Sequence, residues 1–117
     1  MKERSRALQR GVMAERLAGD YLEAQGLRPV SRNFRTPQGE IDLIMQDGDT
    51  LVFIEVRKRA DQRHGGAAAS ITRAKQARLI IAAHSYLQRH RRPPPCRFDV
   101  IAIDAEAISW LKNAIEA

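Results

Sequence analysis

Residues 39–59 read GEIDLIMQDGDTLVFIEVRKR, and two carboxylates in this stretch are spaced for chemistry. Asp42 and Glu55 each lie inside a run of β-favouring apolar residues, one on either side of an Asp-Gly turn signal. Burying a charged carboxylate in a sheet is costly unless a partner compensates it. Two carboxylates side by side repel, and a divalent cation reverses the sign of that interaction. Mg²⁺ prefers hard oxygen ligands, often one or two carboxylates completed by water and substrate phosphate, and it stabilises charge building on a phosphate oxygen. One reading is therefore that Asp42 and Glu55 share a metal. The other is that both are partly exposed strand residues paired with nearby arginines.

Whether the two can meet depends on register. Leu51, Phe53, Glu55 and Arg57 share one face of their strand. A two-residue turn at Asp47-Gly48 sets Asp42 opposite Phe53, with Glu55 diagonal to it. A turn at Gly48-Asp49 sets Asp42 opposite Glu55. The register between these sends Asp42 to the other face. A shared site thus requires one of the two-residue turns or an equivalent bulge.

The elements that must position the pair can be read around it. A first helix is expected from about Ser5 to Gln25, with Ala14, Leu17, Ala18, Tyr21 and Leu22 at helical spacing and Gly26 as its stop. Val30 to Arg35 reads as a short strand, and residues 36–39 as a turn before the hairpin. Arg59 to Ala69 is loop-like and contains Gly65-Gly66. Ser70 or Thr72 can cap a second helix running to about Arg89. Ala77, Ile80, Ile81, His84 and Leu87 form its expected main buried face, with Leu79, Ala82 and Tyr86 adding apolar surface on the other side. Pro93-Pro94-Pro95 is a stiff connector that excludes helix. Arg97 to Asp104 alternates as a strand, and residues 107–115 are open between strand and short helix. The pattern predicts an α/β fold, a mixed central sheet flanked by helices, in a single domain spanning residues 1–117.

Composition narrows the class. The chain has 117 residues, 44% of them hydrophobic and 29% charged, enough for one core. Its opening residues are charged, so no secretory leader is expected, and the longest apolar run, Leu79 to Ala83, is too short to cross a bilayer. The single cysteine, Cys96, fits a cytoplasmic location. Twenty Lys and Arg against fourteen Asp and Glu leave a net charge of +6. A basic surface attracts polyanions, nucleic acid above all. The six aromatics read mostly as core, so duplex or branched DNA held by its phosphates fits better than a single strand on stacking platforms.

At Gly39-Glu40-Ile41-Asp42 and Glu55-Val56-Arg57 the sequence resembles the PD-(D/E)XK nuclease superfamily, whose signature is an acidic residue on one strand and Glu-x-Lys on the next. It is more closely similar to a bacterial family of YraN-like proteins, which resemble archaeal Holliday-junction resolvases in fold. The residues that carry this are Gly11 to Glu15, Arg32-Asn33-Phe34-Arg35, the hairpin, Lys75-Gln76 and Arg97-Phe98-Asp99. The resemblance implies a restriction-endonuclease-like fold and a Mg²⁺- or Mn²⁺-dependent endonuclease. Asp42 and Glu55 would hold the metal with the Val56 carbonyl, and Glu15 would complete the site. Arg57 departs from the superfamily lysine: it keeps the charge and can fork onto a phosphate, but it stays protonated. Lys75 is a candidate stand-in for that lysine, provided that the Leu79 and Tyr86 face packs on the sheet, and Gln76 a candidate phosphate or water contact; a plain surface role stands beside each. Arg32, Arg35 and Arg59 read either as phosphate grips or as solvated surface charges. By the same resemblance a homodimer is expected. Two rivals stand beside the nuclease: a non-catalytic nucleic-acid-binding protein on a nuclease scaffold, and an accessory subunit active only with a protein partner.

Overall fold

The structure, a computed structural model, describes residues 2–59, 71–104 and 107–115, the side chains of residues 2–10 and Arg59 excepted. Helix α1 (Lys2–Ala24) leads into a meander of β1 (Arg28–Thr36), β2 (Gly39–Asp47) and β3 (Thr50–Arg59). Helix α2 (Arg73–Leu87), β4 (Cys96–Asp104) and β5 (Ala107–Leu111) follow. The five strands form one sheet in chain order. Pairing is antiparallel throughout except between β3 and β4, which run parallel. A parallel neighbour requires a crossover, and α2 lies within it. The segment that carries the expected loop, Gly65-Gly66 and the Ser70 cap falls outside the described residues.

Local chemistry accounts for the element ends. Helix α1 stops at Gly26, at φ 101°, where Leu27 N–H donates to Leu22 O and Gly26 N–H to Glu23 O. This is the Schellman pattern, and Leu22 and Leu27, both buried, supply its apolar contact. The β2–β3 turn is Gly48-Asp49, closed by the pair Asp47 and Thr50, with Gly48 at φ 59° in the position where a II′ turn takes glycine. Thr72 caps α2, its hydroxyl accepting from Lys75 N–H at 3.2 Å. The segment left open between strand and helix is β5, paired antiparallel with β4.

The two faces of the sheet carry separate cores. Ala14, Ala18 and Leu22 of α1 pack with Leu43, Met45, Val52, Ile54, Ile101 and Ile103. Leu79, Ala82, Ala83 and Tyr86 of α2 pack with Ile44, Leu51, Phe53, Phe98 and Val100 on the other side. This corrects the expected face of α2. Ala77 and His84 are exposed, Ile81 is 45% exposed, and Ile80 and Leu87 are only half-buried. Apolar residues line both sides of this helix, so periodicity alone did not choose between them. Aromatic packing does: Tyr86 meets Phe34 and Phe53 edge-on. On α1, Leu17 is likewise turned out at 48% exposure.

Two further contacts fix the frame. Asp99 is fully buried and accepts from Arg97 Nε at 3.1 Å, Trp110 Nε1 at 2.9 Å and Asn113 N–H at 2.8 Å, which fastens the tail to β4. On the α2 side of the sheet, Gly39 is buried and a Cβ there would collide with the Arg78 carbonyl of α2. Glycine thus lets the helix backbone rest directly on the start of β2. Gly39→Ala is expected to lower stability by about 1–3 kcal/mol. Gly19→Ala, in α1 with open space around its Cβ position, is expected to raise it by about 0.5–1 kcal/mol. Paired thermal melts check both, and equal effects would remove the Gly39 contact as a constraint.

Candidate active site

The observed hairpin register is the one that sets Asp42 opposite Glu55. Leu43 pairs with Ile54 and Ile44 with Phe53, and the ladder ends there. In place of the next rung, the Asp42 side chain accepts the Val56 main-chain N–H, Oδ2 to N at 2.8 Å. Alternation slips at the same point: Ile41 packs on the α2 side and Leu43, two residues on, on the α1 side. Across β1, Asn33 takes φ 51°, an uncommon value inside a strand. The strands therefore part around Asp42, and a cavity of about 470 Å³ opens there, lined by Glu15, Glu40, Asp42, Glu55 and Arg57 among others.

Crowded carboxylates dominate the electrostatics. Burial, then repulsion from Asp42, pushes Glu55 up to about 8; Arg57, whose guanidinium lies 3.8 Å away, and Lys75 oppose the rise. Burial also raises Asp42, against the Val56 N–H, which favours its ionised form. The two carboxyls hydrogen-bond each other. Asp42 already accepts a main-chain donor, so the shared proton resides on Glu55. Glu15 is raised by burial and by Asp42, and the Asn33 side chain hydrogen-bonds it in the opposing sense.

Several expected residues converge and others do not. Glu15, on the α1 side, lines the same cavity as Asp42 and Glu55. Lys75 reaches the site because α2 packs through its Leu79 and Tyr86 face; it lines an adjoining cleft with Glu40, Glu55, Arg57 and Arg78. Val56 lines the cavity too, and its N–H donates to Asp42. Gln76 lies elsewhere, its amide donating to Ile71 O at 3.3 Å beside a different small cavity. Arg35 is exposed and pairs with Glu40 at 3.5 Å, and Arg32 is exposed on β1. Arg59 ends β3 opposite Asp104, its side chain outside the described residues. Sequence reasoning passed over Glu40, Asn33 and Arg78. Arg78 is three residues after Lys75 and so shares its helix face, a signal available in the sequence. The left-handed Asn33 had none beyond residue type.

The donor set fits a hard divalent cation. Among the described residues no three His, Cys, Asp or Glu side chains form a ligand cluster by themselves. Two adjacent carboxylates, completed by water and substrate oxygens, are what Mg²⁺ takes. A cation would also replace the proton that the pair now shares.

A five-stranded mixed sheet with a helix on each face is consistent with a restriction-endonuclease-like α/β protein. Comparison with known sequences narrows this. The family described as Uncharacterised protein family UPF0102 matches residues 14–103, and the chain belongs to it. A UPF0102 protein of Herminiimonas arsenicoxydans is 67% identical over 92% of this chain and 86% of its own length. Relatives in Cupriavidus taiwanensis and Aeromonas hydrophila are 53% and 50% identical, each aligned over 83% of its own length and over 92% and 90% of this chain. Among the described residues no helix is long and apolar enough to cross a membrane.

The carboxylate pair makes stability depend on pH. Glu55 moves from an ordinary 4.5 to about 8 on folding, so the fold favours its protonated form. That contribution is complete below about pH 4.5 and is lost as pH rises through 8. Metal-free Glu55→Gln is therefore expected to be more stable than wild type at about pH 8.5, by on the order of 1–2 kcal/mol, and to lose this advantage near pH 4. Thermal melts across pH check this, and a wild type as stable as the variant at about pH 8.5 would contradict it.

Proposed function

We propose that the protein is a metal-dependent endonuclease that hydrolyses phosphodiesters in duplex or branched DNA. The observation that carries this reading is the Asp42–Glu55 pair: two adjoining carboxylates, both raised by burial and Glu55 further by Asp42, at a point where the sheet opens beside basic side chains. The resemblance of Gly39 to Asp42 and Glu55 to Arg57 to the PD-(D/E)XK pattern, and of the chain to resolvase-like members, supports it.

Asp42 and Glu55 would hold Mg²⁺ or Mn²⁺, which supplies electrostatic stabilisation of the charge building on the phosphate and makes water more acidic. Glu15, across the cavity, orients the water network through its carboxylate. Lys75 provides the amine that Arg57 cannot: it lies beside Glu55, where it positions the attacking water. Arg57 forks onto the non-bridging phosphate oxygens. The water oxygen bonds to phosphorus, one P–O ester bond breaks, and the departing sugar oxygen gains a proton. The basic excess of +6 draws the polyanion in. A homodimer matches a two-fold branched substrate.

Arg57 in the lysine position favours one second reading, a DNA-binding protein that has lost catalysis. A cleavage assay separates the two. Single-stranded, duplex, flapped and four-way-junction DNA are incubated with Mg²⁺ or Mn²⁺ and with wild type, Asp42→Ala, Glu55→Ala or Lys75→Met. Metal-dependent cutting is expected in wild type, lost in both carboxylate variants and reduced roughly 10²-fold or more in Lys75→Met. Binding without cutting, unchanged in all variants, establishes the second reading instead.

A further inference from the structure

The cleft that adjoins the carboxylate cavity has its own chemistry. It encloses about 180 Å³ and is lined by Glu40, Glu55, Arg57, Lys75 and Arg78. Arg57 is drawn to Glu55 and Glu40 to Arg35, at 3.8 Å and 3.5 Å. Among the described residues Lys75 and Arg78 form no salt bridge with a carboxylate, and Lys75 meets Glu55 only through its longer-range field, so both cations are available to a ligand in the cleft. They lie three residues apart on one face of α2, one turn along from the capped N-terminus. The helix backbone that carries them is held against the sheet, because the Arg78 main chain rests on Gly39, where any side chain would collide. The fold thus uses a glycine to bring a guanidinium and an ammonium to the end of β2, beside the carboxylate pair.

We infer that this cleft is a phosphate-binding subsite, with Arg78 as its principal cationic ligand and Lys75 at its boundary with the cleaved phosphate, and that it holds the phosphodiester adjacent to the one cleaved. Arg78 supplies paired N–H donors matched to two phosphate oxygens, and Lys75 a compact charge beside them. The neighbouring cavity shares Glu40, Glu55 and Arg57 with the cleft, so one strand of backbone spans both. The assignment to an adjacent phosphodiester rests on the nuclease reading; the affinity for phosphate does not.

The test is binding without turnover. A fluorescein-labelled duplex of about 20 base pairs is titrated by anisotropy in Ca²⁺ and in chelator, over a series of salt concentrations. Arg78→Gln and Lys75→Gln are compared with Arg73→Gln, which removes an exposed charge from the same helix outside the cleft. Loss of a phosphate contact is expected to weaken binding about five- to tenfold at low salt and to flatten the salt dependence by about one unit in each cleft variant. Arg73→Gln is expected to change binding less than twofold, and Arg78→Lys to restore part of what Arg78→Gln loses. Melting temperatures within about 1 °C of wild type confirm that the fold is kept. Cleft variants that bind like wild type, or lose no more than Arg73→Gln, overturn the subsite. A wild type that binds but never cuts would sink the nuclease reading and leave this comparison readable.

Discussion

One hydrogen bond, from the Val56 main chain to Asp42 Oδ2, stands where a rung of the β2–β3 ladder would otherwise be. A sheet tolerates an acid inside it only if the carboxylate has donors, and here the donor is the amide that the ladder leaves over. The substitution has three consequences. It holds Asp42 against Glu55, it stops the ladder at Leu43 and Ile54, and it coincides with the slip in alternation between Ile41 and Leu43. The opening at the sheet end follows from a change of partner at one residue. Neither a long loop nor a disruption of the core is needed, because both hydrophobic clusters continue past it.

Much of this was legible in the sequence. The hairpin, its two-residue turn and the face shared by Glu55 and Arg57 follow from period-two alternation and an Asp-Gly signal. One of the two registers compatible with a shared site is the one observed. The packing face of α2 was not legible. Ala77, Ile80 and Ile81 make as good a stripe as Leu79, Ala82 and Ala83, and the decision lies with Tyr86, Phe34 and Phe53, which meet only in three dimensions. That choice matters to the site, since the face that won carries Lys75 toward Glu55. Gln76, one position on, is carried away by the same rotation. Gly39 looked like a turn residue, and its role as the seat of a helix backbone depends on a contact with Arg78 far along the chain.

The walls around the pair differ in charge. Glu15 stands on the α1 side, with Asn33 as its hydrogen-bond partner. Lys75 and Arg78 stand on the α2 side. Lys58 also lines the cavity near Glu15, so the α1 side is mixed in charge while the α2 side adds only cations. The tail contributes nothing directly. Asp99 ties it to β4 through Trp110 and Asn113.

The order in which the chain closes on itself also has a kinetic meaning. The ladders of β1, β2 and β3 join residues near one another in sequence, whereas the parallel ladder brings Leu51 to Cys96 only after the whole crossover has been laid down. Loop-closure entropy makes local pairings fast and distant ones slow. The acidic half of the cleft therefore belongs to the low-contact-order part of the molecule, and its basic wall arrives with the slowest contacts. A nascent chain carries the carboxylate hairpin before it carries the surface that attracts phosphate.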